Sequence, residues 1–174
     1  MVLTGGALLL GVPAAHALDL DSMVKKAGET AAEKGSSAAR DKIAKKVNAK
    51  LAAEGRKNQC SFKTDSDELA PGCDKKLKNL VNALVDAKKT LDAGKVSNYK
   101  FEVSGHTDST GSAAHNKELS GKRAAVIERE LVARGIAKSE IISIGMGSER
   151  MLVKPDDTPA KQAKNRRYEI RVRF

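Results

Sequence analysis

Apolar residues recur at helical spacing from Leu77 onward, where Leu77, Leu80, Leu84, Ala87 and Leu91 share one stripe with Val81 and Val85 beside it. Residues three and four apart lie on one helix face, so this spacing predicts a helix that follows Pro71-Gly72 and stops at Gly94. Leu119, Ala124, Ile127 and Leu131 predict a second helix from Glu118 to Arg134, ended by Gly135. Elsewhere the period falls to two. Tyr99 to Val103 and Tyr168 to Phe174 alternate as half-buried strands, Ile141 to Ile144 is a third short strand, and Cys60 to Lys63 is consistent with a fourth. The order β-α-β-α-β-(α)-β predicts an α+β fold. Its form is a two-layer α/β sandwich, with helices on one face of a mixed four-stranded sheet.

The chain ahead of this pattern differs in character. Asp21 to Glu54 is rich in Ala, Lys and Glu and helical in propensity. It carries two thin stripes, Met23-Ala27-Ala31 and Ile43-Val47-Leu51, and Gly35-Ser36-Ser37 is expected to break it into two helices. Three aliphatic residues per stripe bury too little to fold alone. Residues 18–58 therefore read as a helical arm or linker, and residues 59–174 as the folded domain. Residues 1–17 read as a signal peptide: an uncharged apolar run from Val2 to Ala15 too short to span a bilayer as an ordinary helix, then small residues at Ala15 and Ala17. Cleavage is expected after Ala17. The run has no basic residues ahead of it, and an uncleaved N-terminal anchor is the alternative reading. No cysteine follows it to take a lipid.

Export changes how the cysteines read. Cys60 and Cys73 are the only two in the chain. In an oxidising compartment such a pair is expected to form one disulfide, contributing on the order of 3 kcal/mol for so short a loop. Charge adds a class of partner. Lys and Arg number 32 against 22 Asp and Glu, a net +10, which favours anionic partners. Much of the excess lies between Lys25 and Lys57 and reads first as the solvated face of a helix. Aromatic residues are 3% of the chain and Trp is absent, so the core is aliphatic and stacking platforms for nucleic acid are lacking.

Three segments carry specific chemistry. Gly105-His106-Thr107-Asp108-Ser109-Thr110-Gly111 ends a strand, Asn116-Lys117-Glu118-Leu119-Ser120-Gly121-Lys122-Arg123-Ala124 enters a helix, and Asn165-Arg166-Arg167-Tyr168-Glu169-Ile170 opens the last strand. Asp108 and Arg123 lie on either side of a strand-to-helix connection that can fold both into one crevice. A ligand bearing an ammonium and a carboxylate on one carbon would satisfy both, the first accepting from the ammonium and the second forking onto the carboxylate. The plain alternative is a structural ion pair between the two.

In this order and at these separations the three segments resemble the OmpA C-terminal domain family of peptidoglycan-binding domains, related to Pal and MotB. The resemblance spans roughly Ser61 to Phe174. It implies non-catalytic binding of peptidoglycan through the meso-diaminopimelate of the stem peptide, tethering the protein to the cell wall in the periplasm. It also implies a cell-envelope location, at the cell wall or the outer membrane, without enzyme activity, cofactor or metal. By resemblance Asp108 and Arg123 hold the two principal ligand positions. Asn116 and Thr107 belong to the same pocket, Asp65 and Ser66 to the loop lining it, and Arg166 or Arg167 completes the charge field. The residues ahead of the domain are too few and too helical for a transmembrane β-barrel, so the expectation is a soluble, barrel-less member.

The sequence departs from the family pattern at three places. His115 stands where an aromatic residue commonly precedes the Asn, Met151 replaces a usual Pro, and Lys161-Gln162 replaces Gly-Arg. A different role keeps the same fold: the 18–58 arm binds another envelope protein while the domain docks on the wall. A metal site built from His106, Asp108 and His115 lacks a supporting Glu-His helical pair, and nucleic-acid binding rests on charge alone.

Overall fold

The computed structural model describes the backbone of Leu20–Lys63 and Asp65–Phe174, and side chains from Ser37 onward apart from Thr64. The signal peptide, its cleavage after Ala17 and the Met23-Ala27-Ala31 stripe lie outside the described residues. Among those described, no helix is long and apolar enough to cross a membrane.

The Ala- and Lys-rich stretch forms one helix, α1, over Leu20–Lys57, running unbroken through Gly35-Ser36-Ser37. The expected break is therefore absent. One glycine costs a helix only about 1 kcal/mol relative to alanine, and strong helix formers flank it on both sides. The compact unit that holds the rest of the fold begins at Ala38. Ala44, Val47 and Leu51 are buried, and the last two belong to the main apolar core. The second half of the expected arm is thus packed into the domain rather than standing off it.

The helix α2 covers Asp74–Ala93 and buries Leu77, Leu80, Leu84, Ala87 and Leu91, the stripe its spacing predicts. Strand β1, Lys100–His106, is central. It pairs in parallel with β2, Ile141–Gly145, and antiparallel with β3, Arg167–Arg173. The helix α3, Ala113–Ala133, connects β1 to β2, and a short α4, Pro159–Asn165, precedes β3. Phe101, Val103, Ile141, Tyr168, Ile170 and Val172 meet the helices in the core, while Ile142 and Ile144 alternate to the other face. Among the described residues the sheet has three strands in the order β2-β1-β3, one fewer than expected.

The missing strand has a physical explanation. Ser61 to Ala70 folds on itself, with Lys63 N–H donating to Glu68 O, Ala70 N–H to Ser61 O, and one bridge between Phe62 and Leu69. Two amide side chains take the outer edge of β3 instead. Asn48 Oδ1 accepts from Val172 N–H at 2.7 Å and its amide donates to Val172 O at 3.4 Å. Gln59 accepts from Tyr168 N–H at 3.1 Å and donates to Tyr168 O at 2.8 Å. Each amide satisfies a donor and an acceptor of an edge that would otherwise be open to pairing.

Cys60 and Cys73 are both buried, side by side, as free thiols in this structure. Cys60 Sγ lies 3.9 Å from Cys73 O. Burial, with Cys73 beside it, pushes the Cys60 thiol up to about 12, and the neutral thiol that this favours is not the species that undergoes exchange.

Candidate functional site

Two glycines bring α3 against the sheet at the strand end where the site lies. A Cβ on Gly105 would stand 2.1 Å from Ser120 O, and one on Gly145 would stand 2.4 Å from Lys117 O. Only a residue without a side chain permits so close a backbone approach. The approach sets the first turns of α3 beside the end of β1, and Ser112 caps that helix by accepting from His115 N–H.

The result is a cleft of about 870 Å³ at the end of β1. The structure brings Asp65, Thr107, Asp108, Asn116, Arg123, Arg166 and Arg167 to its lining, together with Phe62, His106 and His115. Ser66 is not among the lining residues. It acts from behind, its carbonyl accepting from Arg123 Nε at 2.9 Å.

The two principal residues are close-set but do not pair with each other. Asp108 Oδ2 accepts from Arg166 Nη1 at 2.6 Å, and its Oδ1 accepts from Thr110 N–H at 3.0 Å. Arg123, only 9% exposed, donates to the carbonyls of Ser66 and Lys63 and lies 5.2 Å from the centroid of the Phe62 ring. Among the described residues no carboxylate sits within ion-pair reach of it. Burial first, and then the neighbouring Arg166, lowers its pKa from the ordinary value. A guanidinium nevertheless stays charged in a protein, so the cleft holds a buried cation that no carboxylate touches, with Asp65, Asp108 and Asp67 acting on it only from a distance.

The remaining expected residues fall into place around this pair. Asn116 donates to Thr110 O at 2.9 Å and holds the Asp108 loop in shape. Thr107 is 3% exposed, with its N–H bonded to Gly147 O. Arg167 is spent structurally, on Glu169, Asn165 O and Arg150 O, which leaves Arg166 as the arginine that faces Asp108. His115, a departure from the family pattern, reaches across the rim to Asp65 Oδ1 at 2.8 Å. His106 points inward to Ser104 Oγ, and burial, then Arg167, lowers its pKa to about 4, which leaves it neutral. The two histidines therefore do not converge. Among the described residues no three His, Cys, Asp or Glu side chains are placed to hold a metal.

Sequence reasoning missed Phe62 and the lock behind Arg166. Asp156 accepts from Ser109 N–H at 2.9 Å and from the Ser109 hydroxyl, and the fully buried Asn165 donates to it at 3.0 Å. Asn165 also accepts from Leu152 N–H and Val153 N–H. This ties the Asp108 loop to the start of β3. The Ser109 hydrogen bonds, then Asn165, hold the Asp156 carboxyl at about 2, below its ordinary 3.8. A carboxyl depressed in the folded state contributes stability that is present above its unfolded pKa and lost as pH falls through the folded one. Acid unfolding of Asp156→Asn is therefore expected to show a shallower pH dependence than wild type between about pH 4 and pH 2. Equal slopes would contradict the lock.

The sequence model of the OmpA family matches residues 61–166, more than half of the chain. Peptidoglycan-binding protein ArfA of Mycobacterium tuberculosis (strain ATCC 25618 / H37Rv) is 38% identical over 93 residues, 53% of this chain and 27% of that protein. The peptidoglycan-associated lipoprotein of Pseudomonas aeruginosa is 30% identical over 110 residues, 63% of this chain and 59% of that relative. The chain thus spans less than two thirds of the length of either. Among solved structures, the peptidoglycan-associated lipoprotein from Burkholderia pseudomallei aligns with a TM-score of 0.54 at 21% identity, over 66% of this chain and 89% of that one. The periplasmic domain of Helicobacter pylori MotB aligns with a TM-score of 0.51 at 20% identity, over 64% of this chain and 66% of that one. At these identities the likeness to solved structures is one of fold.

Proposed function

The chain belongs to the OmpA family through residues 61–166, and from that premise we propose that its cleft binds peptidoglycan through the meso-diaminopimelate of the stem peptide. The observation that carries the reading is the buried Arg123, a fork of donors with no carboxylate of its own, beside the Asp108–Arg166 pair. A ligand end with one ammonium and one carboxylate fits this arrangement. The carboxylate lies against Arg123, with Arg166 as second donor, and the ammonium donates to Asp108, sharing or replacing Arg166 there. No bond is made or broken: domains of this family are binding modules and not enzymes. The binding anchors the protein to the wall in the periplasm, and many weak contacts on one polymer hold by avidity.

The names of the relatives support the partner, since ArfA is a peptidoglycan-binding protein and the Pseudomonas aeruginosa relative a peptidoglycan-associated lipoprotein. A role in which residues 18–58 reach for another envelope protein keeps less chain than the sequence offers it, because the compact unit takes in everything from Ala38 onward.

Calorimetric titration with a soluble diaminopimelate-type stem peptide tests the assignment. Asp108→Ala and Arg123→Ala are each expected to cost about 1.5–3 kcal/mol of binding, the loss of a charged hydrogen bond. Arg123→Lys is expected to weaken binding as well, because a point charge cannot fork onto a carboxylate. Wild-type affinity in either alanine variant would remove the site from this cleft.

A further inference from the structure

Outside the cleft, the exposed side of α1 carries a group of cations that the fold leaves without partners. Lys42, Lys45, Lys46, Lys50 and Arg56 are all exposed on α1, whose Ala44, Val47 and Leu51 enter the domain, with Lys50 at the edge of the groove between α1 and α2. None of the five has an ion-pair partner among the described residues. Their neighbours on the same helix do, Lys57 with Glu54 at 2.9 Å and Arg40 with Asp41 at 3.5 Å. Several lysines on other elements are paired, Lys78 with Asp74, Lys89 with Asp86, Lys117 with Glu149, and Lys122 with Glu118, while the unpaired Lys75, Lys95, Lys154 and Lys164 are scattered along the chain rather than grouped within fifteen residues of one helix. These five uncompensated cations, from residue 42 to residue 56, form a broad band along about 21 Å of helix at 1.5 Å per residue. The residues set between them, Ala49, Ala52 and Ala53, are small and leave the band open to close approach.

The band leads to the cleft. Residues Gln59 and Cys60, just past the end of α1, line it. We propose that the outward face of α1 is a second, electrostatic contact for the same polymer, binding the carboxylates of stem peptides adjacent to the one held in the cleft. The proposal rests on the peptidoglycan reading for the identity of that polymer. A membrane surface fits less well. Interfacial helices insert large apolar side chains, and among the described residues the exposed large apolar ones, Val85, Ile142, Ile144, Leu152 and Phe174, all lie off α1. Nucleic acid fits less well too, because the face carries no aromatic side chain on which bases could stack. Contacts of this kind give little specificity. They raise the effective concentration of stem peptides at the cleft, and salt screens them.

The test compares the full chain with a variant carrying Lys42→Gln, Lys45→Gln, Lys46→Gln, Lys50→Gln and Arg56→Gln. Glutamine keeps helix propensity, and circular dichroism checks that the fold is retained. Co-sedimentation with purified diaminopimelate-type sacculi is measured across a salt series. The variant is expected to bind sacculi roughly tenfold or more weakly at low salt, with a flattened salt dependence. Its affinity for one soluble stem peptide is expected to be unchanged. Equal sacculus binding and equal salt dependence would overturn the proposal. So would loss of binding to phosphatidylglycerol vesicles with sacculus binding intact, which would make the face a membrane contact. Failure of the cleft reading looks different: the wild type would ignore the soluble stem peptide, while salt-sensitive sacculus binding still depended on the five cations.

Discussion

Leu51→Ala is expected to destabilise the domain by about 2–5 kcal/mol, the range for truncating a large aliphatic side chain in a packed core. Leu51 is 3% exposed and sits in one cluster with Val47, Leu77, Leu80 and Tyr168. Its truncation leaves a cavity between α1 and the rest of the domain, and the Asn48 and Gln59 clamps on β3 depend on α1 staying in place. Reversible denaturation in urea reads the effect as a lowered midpoint. Had α1 been a free arm, the same change would alter stability by a few tenths of a kcal/mol at most. An unchanged midpoint would therefore detach α1 from the fold described above.

Gly105→Ala is expected to damage stability and binding together. The new methyl would meet the Ser120 carbonyl at 2.1 Å, and the atom it meets is backbone, which cannot swing aside as a long side chain would. Overpacking of this kind costs about 1–3 kcal/mol, occasionally more. Relief comes by moving α3 off the sheet. That helix carries Asn116 and Arg123, so the cleft widens and the guanidinium leaves the Ser66 carbonyl. The affinity for stem peptide is expected to fall even under conditions where the variant remains folded. A variant of full stability and full affinity would show that the close approach of α3 does not set the geometry of the site.

The strongly periodic elements were legible. Leu77 to Leu91 announces α2, which buries its full apolar stripe; Ala124, Ile127 and Leu131 announce α3, while Leu119 of the same stripe is half-buried at the cleft; and the alternation from Tyr168 is that of a strand with one face in the core. The packing of α1 was not legible, because a thin stripe of Ile43, Val47 and Leu51 looks the same whether it meets a partner or its own domain. No sequence pattern marks Asn48 or Gln59, and only the tertiary fold shows them bonded to the outer edge of β3. The bridge between Cys60 and Cys73 was inferred from compartment and proximity in sequence. Neither fixes the state of two thiols in the core.

At the site, the motifs gave the cast but not the pairing. Asp108 and Arg123 do line one cleft, yet the counterion of Asp108 is Arg166, 58 residues away in sequence. Long-range ion pairs of this kind are set by how α4 and β3 return to the end of β1, which local patterns do not encode. The same holds for His115 and Asp65, 50 residues apart, where a residue that departs from the family pattern meets one that follows it.

The measurement that tests the central claim most directly is retention of the full chain on purified diaminopimelate-type peptidoglycan, with Asp108→Ala alongside and free meso-diaminopimelate as competitor. The account predicts that the wild type is retained, that the free amino acid displaces it, and that the variant is retained far less. Equal retention of the two proteins, indifferent to meso-diaminopimelate, would contradict it.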